Sequence, residues 1–320
     1  MRSDLVDRDN RAGMAPGPVC SSRSIRVTAR LTVICVTALI VTLAACKAQA
    51  RPELIDAAAQ PAAVEQVGEQ EAKAAPRIID PDKLRLSFIA DFNDSFSVSP
   101  WGCVTDWIAH TPWHGDFGDA TFADPVKTFP FTIEDGALAI EARRFDDGSW
   151  QTGMLSARDV CNSGWSQLYG YFEIRAKMPD APGFWPTFWL IGVNPKIDTG
   201  TSEIDVVEHY TARPDTFTSG VIKHPGLVDT NKRVSGHTHE VEPGLMTDHF
   251  NMYGVEIDPK ETTFYFNRVE IFSVPTEPEF RQPFFPLVSM AVIADDVTRD
   301  TPDSVKMYVD YIRAYQRMPE

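Results

Sequence analysis

Residues 169–178, YGYFEIRAKM, alternate in polarity at every step. Tyr169, Tyr171, Glu173, Arg175 and Lys177 fall on one face. Gly170, Phe172, Ile174, Ala176 and Met178 fall on the other. A period of two belongs to an extended strand with one face against a core, and a helix cannot satisfy it. Similar short runs recur at 137–142, after an Asp135-Gly136 turn signal, and at 217–223, 250–257, 262–266, 269–272, 287–293 and 306–315. Strong helical periodicity and internal repeats are both missing. Many short strands separated by turns predict an all-β sandwich or barrel. The stretch from Leu84 onward, about 235 residues, suits one large sandwich.

The formal net charge of -15 gives no basic footprint for nucleic acid, so no nucleic-acid partner is expected. It also disfavours a densely anionic polymer as substrate. Near the N-terminus, Arg23, Arg26 and Arg30 precede an apolar run, 31–45, too short for a comfortable membrane span. The run ends in Leu43-Ala44-Ala45-Cys46, which resembles the lipobox of bacterial lipoproteins. A signal peptide over 1–45 and lipidation of Cys46 are expected; an ordinary signal cut nearby, or an uncleaved anchor, is the alternative. Residues 46–82, rich in Ala, Gln, Glu and Pro and without aromatics, read as a disordered tether. A catalytic domain then fills 83–320. The expected location is outside the cytoplasm, anchored by lipid and facing periplasm or cell exterior. Of five cysteines, Cys20 and Cys35 leave with the signal and Cys46 carries lipid. Cys103 and Cys161 remain, and an oxidising compartment lets them pair; two separate thiols are the other option.

The chemistry is concentrated in residues 202–210, SEIDVVEHY. β-branched neighbours make this a strand. On a regular strand Glu203 and Asp205 share a face, and Glu208, five positions after Glu203, points away. One extra residue, a β-bulge at Val206-Val207, restores the parity and puts three carboxylates on one face. Three crowded acids repel one another, which a fold seldom keeps for stability. Two carboxyls flanking a glycosidic bond are the usual equipment for its hydrolysis: one attacks the anomeric carbon or activates water, the other protonates the leaving oxygen. A close third acid raises the pKa of that proton donor by like-charge repulsion. Glu203 and Glu208 lie about 13 Å apart along the backbone. Retaining hydrolysis wants their carboxyls at about 5 to 5.5 Å, so a concave sheet must converge them.

The run E-I-D-x-x-E, following G-F-W-P-x-F-W-L, resembles the signature of glycoside hydrolase family 16 in its bulged, laminarinase-like form. Residues 169–175 resemble that family's YGxxExR strand. Residues 250–257 resemble its FHxYxxxW strand, with Asn251 where His is usual and Ile257 where Trp is usual. Residues 309–315 resemble its closing strand. The resemblance implies a concanavalin-A-like jelly-roll β-sandwich with a concave substrate cleft. It implies retention of configuration, with Glu203 as nucleophile, Glu208 as acid/base and Asp205 as their tuner. Residues 101–122 are similar to the N-terminal region of members that trim bacterial exopolysaccharides.

An endo-acting glycosidase is therefore expected, acting on a β-1,3- or β-1,3-1,4-glucan or a β-linked exopolysaccharide. A transglycosylase with the same residues, or a lectin-like binding protein, are the rival functions. Trp185 and Trp189 share strand parity and suit stacking on sugar faces, and Trp113 is a further platform. Glu173 and Arg175 are expected to reach sugar hydroxyls, with a cross-strand ion pair as the alternative. His224 follows a strand bordering the cleft and is expected to donate to substrate. His237 and His239, two apart in a loop, are too few for a zinc site. Asp310 matches a position where family members bind structural calcium. No cofactor is expected for catalysis, and the protein is expected to be a monomer.

Overall fold

The computed structural model describes residues 75–318 other than 94, 95 and 197. The predicted signal peptide, Cys46 and most of the tether lie outside the described residues. The predicted all-β sandwich is present as two antiparallel-rich sheets. The front sheet runs in the order β13 (Arg233–Glu240), β12 (Thr216–Lys223), β11 (Ser202–Glu208), β10 (Phe184–Gly192), β17 (Phe284–Val292), β8 (Met154–Ser156), β3 (Trp107–Ile108) and β2 (Val98–Ser99). The back sheet runs β16 (Val269–Pro275), β15 (Glu261–Phe266), β14 (Asn251–Ile257), β9 (Gly170–Lys177), β18 (Ser304–Arg317), β6 (Ala137–Arg144), β7 (Trp150–Thr152) and β4 (Thr121–Phe122). Two further strands join it: β1 (Leu84–Ala90) pairs with β18, and β5 (Phe131–Glu134) with β6.

The main core lies between the sheets. Phe172, Ile174 and Ala176 of β9 meet Phe188 and Leu190 of β10, Ile204 of β11 and Val288 and Met290 of β17, all buried. The alternation in residues 169–178 thus sends its apolar face inward, as predicted. Each of these side chains other than Ala176 contributes about 1.5–3 kcal/mol when fully buried. Ile257, standing where the family pattern has Trp, is 1% exposed in this core. Asn251, standing where it has His, ties a turn: its Nδ2 donates to the Leu245 and His249 carbonyls at 2.7 and 3.1 Å.

The polar face of β9 points out of the back sheet, away from the cleft, which overturns the substrate-contact expectation for Glu173 and Arg175. Glu173 is fully buried there. It accepts two hydrogen bonds from Arg268, at 2.9 and 3.0 Å, and one each from the Tyr171 and Tyr311 hydroxyls, at 2.7 and 2.8 Å. Arg175 donates to Asp310 at 2.5 Å and lies over the Phe250 ring. Asp310 sits where the β18 register slips, between Val309 and Tyr311. Its carboxylate is committed to Arg175, and among the described residues no set of three acidic, His or Cys ligands converges on it. His237 and His239 are on edge strand β13, not in a loop, and His239 is buried. That burial, with His237 beside it, pulls the His239 pKa down to about 4.

Residues 75–82, assigned from sequence to the tether, lie on the outer face of the back sheet. Ile78 bridges to Val269, and Ile79 is buried with Tyr171, Tyr265 and Tyr315. Arg77 pairs with Glu261 and Glu270, both at 2.7 Å. An Ile-Ile pair in a polar stretch was the signal that chain had already begun to pack. Among the described residues no helix is long and apolar enough to cross a membrane.

Candidate active site

Strand β11 places the three carboxyls. Its pairing with β10 runs Glu203 to Ile191, Ile204 to Leu190 and Asp205 to Trp189, then resumes with Val207 to Phe188 and Glu208 to Thr187. Val206 is the extra residue. On the other side the register slips between Asp205 and Glu208, opposite Gly220 and Thr218, and Ser219 Oγ donates to the freed Val206 carbonyl at 2.9 Å. The bulge lets Ile204, Val206 and Val207 all enter the core. Glu203, Asp205 and Glu208 are left together on the opposite face, lining one cleft of about 550 Å³, within the range of small-molecule and oligosaccharide sites.

The environments of the three acids differ. Burial, followed by the charge on Glu203, pushes the Glu208 carboxyl up to about 7. Asp205, 5% exposed, is raised well above the usual carboxylate range, first by burial and then by the charges on Glu203 and Glu208. Asp205 also hydrogen-bonds Glu203. The three acids are electrostatically coupled: after burial, the Glu203 charge raises Glu208, and the charges on Glu203 and Glu208 raise Asp205. Glu203, with 17% of its side chain exposed, lies 3.0 Å from His224 Nε2, which donates to Oε2.

The aromatic walls follow from strand parity. Trp185 and Trp189 alternate with core residues Phe184, Phe188 and Leu190, so both face the cleft. Trp185 stacks on Tyr210 at 5.2 Å and 16°. Its indole N–H has no well-aligned partner, yet lies near enough to Glu208 to favour the carboxylate form. Trp189 is 6% exposed and donates to Ser289 Oγ at 3.2 Å, forming part of the cleft floor with Ile191, Phe285 and Leu287. Trp113, half exposed, meets Trp189 edge-on at 6.1 Å. Pro112, Trp113 and Phe117 form one wall, so the 101–122 segment does border the cleft.

Of the predicted cleft residues, Trp185, Trp189, Trp113 and His224 converge on the triad, and Glu173 and Arg175 do not. Tyr210 was missed, although it follows Glu208 by two positions; its hydroxyl donates to Glu208 Oε1 at 3.4 Å. Arg158 and Asn162 also line the cleft and were missed, because they sit in a loop whose path no periodicity reveals. Cys103 and Cys161 are joined, with Cα atoms 5.8 Å apart. The one set of three metal-type ligands among the described residues is this disulfide with Asp159.

Residues 131–313, more than half of the chain, match the model of glycosyl hydrolases family 16. The chain is 30% identical over 205 residues to endo-1,3-1,4-beta-glycanase EglC of Rhizobium meliloti (strain 1021), spanning 61% of this chain and 41% of that protein. It is 31% identical over 199 residues to endo-1,3-1,4-beta-glycanase ExsH of the same organism, spanning 58% and 39%. The chain thus spans about two fifths of the length of these curated relatives. Its fold is similar to that of the laminarinase from Rhodothermus marinus, with a TM-score of 0.59 and 24% identity over 76% of this chain and 99% of that one. By the match across both sheets and the bulged strand, the chain belongs to glycosyl hydrolases family 16.

Proposed function

We propose that this protein is an endo-acting, retaining glycoside hydrolase that cleaves a β-1,3- or β-1,3-1,4-linked glucan backbone. The observation that carries this is the bulged strand β11, which gathers three carboxyls on one cleft face while burial and the Glu203 charge push Glu208 up to about 7. An acid of that strength holds its proton near neutral pH and can still give it up. Glu203 attacks the anomeric carbon as Glu208 protonates the glycosidic oxygen; the glycosyl–Glu203 bond forms as the bond to the leaving sugar breaks. Glu208, now a carboxylate, takes a proton from water, whose oxygen displaces Glu203 and regenerates the starting charges. Asp205 and His224 hydrogen-bond Glu203, and this fixes the orientation of its carboxylate in the cleft. The names of the two Rhizobium relatives support the mixed-linkage backbone. No step calls for a cofactor.

The test is reducing-sugar release from laminarin, lichenan and purified exopolysaccharides, with Glu203→Gln as control. Release by the wild type alone supports the proposal. Silence on every glycan with tight binding retained favours a lectin-like role. Lipid anchoring through Cys46 and an extracytoplasmic location are part of the same proposal, supported by the Leu43-Ala44-Ala45-Cys46 run after an apolar segment. Incorporation of radiolabelled fatty acid, lost in Cys46→Ser, tests the anchor.

A further inference from the structure

The front sheet carries a row of side chains away from the nucleophile. Ile191 pairs with Glu203 on one side and with Phe285 on the other. On the next strand Ser156 pairs with Leu287, so the chain two residues further on brings Arg158 beside Phe285. The guanidinium carbon stands 6.0 Å from the Phe285 ring centre. Three strand spacings separate Arg158 from Glu203, about 14 Å across the sheet. Arg158 nevertheless lines the same cleft as the triad.

Its presentation is fixed. Arg158 bridges to Gly164 across a short loop. Asp159 accepts from the backbone N–H groups of Cys161 and Ser163 at 2.8 and 2.9 Å, and Cys161 is bonded to Cys103. Gly164, at φ +119°, lets the loop close; a Cβ there would meet the Ala157 carbonyl at 2.1 Å. The guanidinium itself makes no ion pair or hydrogen bond among the described residues. Of the cleft-lining residues only Arg158 and His224 are basic, and His224 is committed to Glu203.

A neutral glucan needs no free cation beside its path. A guanidinium over an aromatic ring is built to take a carboxylate in two parallel hydrogen bonds. Arg158 makes no ion pair with the triad among the described residues, and it lies three strands from Glu203. We propose that Arg158 recognises a carboxylate-bearing substituent on the glycan, such as a uronic acid or a dicarboxylic half-ester, some sugars away from the scissile bond. Phe285 packs beside Arg158 against the apolar part of that substituent. The inference rests on the hydrolase assignment above. It reconciles an acidic protein with an acidic substrate, because the charge is sparse and is met at one point remote from the triad.

The test compares one mixed-linkage glucan, unmodified and partly succinylated, with the wild-type protein and Arg158→Gln, at low and high salt. The wild type is expected to prefer the succinylated chain by about tenfold or more in kcat/KM at low salt, equivalent to about 1.4 kcal/mol. Arg158→Gln should lose that preference, and high salt should erode it in the wild type. Loss of equal size on both glycans, with an unchanged melting temperature, would overturn the proposal and make Arg158 a hydroxyl contact. No wild-type preference would overturn it too. Binding of both glycans to Glu203→Gln runs beside the kinetics. A binding preference without turnover would sustain the Arg158 site while rejecting the hydrolase assignment.

Discussion

His224 Nε2 donates to Glu203 Oε2 across 3.0 Å, so the histidine expected from sequence to meet substrate also holds the proposed nucleophile. The bond fixes the orientation of the Glu203 carboxylate in the cleft. His224→Ala should therefore lower kcat by about 10- to 100-fold, as positioning of a reacting group allows, with KM little changed. Partial rescue by Gln, or by added imidazole, would show that the donated hydrogen bond is what was lost. A KM effect alone would return His224 to the substrate-binding role.

The Glu208 pKa of about 7 predicts the alkaline limb of the pH profile. Glu208 must be protonated in the free enzyme, so kcat/KM should fall as pH rises through about 7. The sign for stability follows from the same shift. A carboxyl raised from 4.5 in the unfolded chain contributes stability that is complete below pH 4.5 and is lost as pH rises through about 7. Glu208→Gln should therefore raise the melting temperature over wild type at pH 8 and leave it nearly unchanged at pH 4. Equal shifts at both pH values would contradict the burial account.

Arg268 and Glu173 are a structural pair on the far side of the molecule from the cleft. Removing the arginine leaves a fully buried carboxylate with two tyrosine donors and no cation. Arg268→Ala should cost about 3–5 kcal/mol in urea unfolding. Glycan affinity of the folded fraction should be unchanged. A selective loss of affinity would restore the family-based expectation that Glu173 serves the cleft.

The Cys103–Cys161 disulfide closes a separation of 58 residues. Loop-closure entropy for a loop of that length predicts about 4 kcal/mol of stabilisation. Cys103→Ser with Cys161→Ser should show a loss of that order by denaturant unfolding. It should also loosen the loop that carries Arg158, raising hydrogen exchange over 158–164. Unchanged exchange there would mean that Asp159 alone fixes the loop.

What sequence revealed and what it hid divide along physical lines. The bulge at Val206-Val207 was legible because side-chain parity is strict: three acids can share a face only if one residue is left over. The inward face of residues 169–178 was legible for the same reason. Parity says which residues share a face, but not whether that face looks into the cleft or out of the back sheet. That is why Glu173 and Arg175 were misassigned. His224 was placed correctly at the cleft edge, but its partner depends on a turn after β12 that no pattern encodes. Arg158 was hidden because its position is set by a disulfide and by cross-strand register. Repulsion among the three acids was legible from their spacing, whereas the burial that comes first in raising Asp205 depends on packing that no spacing encodes.

The most direct test of the account is to trap the covalent intermediate. The protein would be incubated with an activated 2-deoxy-2-fluoro β-glucoside or laminaribioside, digested, and its peptides read by mass spectrometry. The account predicts a glycosyl adduct on Glu203, in the peptide containing SEIDVVEHY, that is absent from Glu203→Gln and turns over slowly when acceptor sugar is added. An adduct on another residue would contradict the assignment of Glu203, and turnover with no adduct and inverted product would contradict the retaining mechanism.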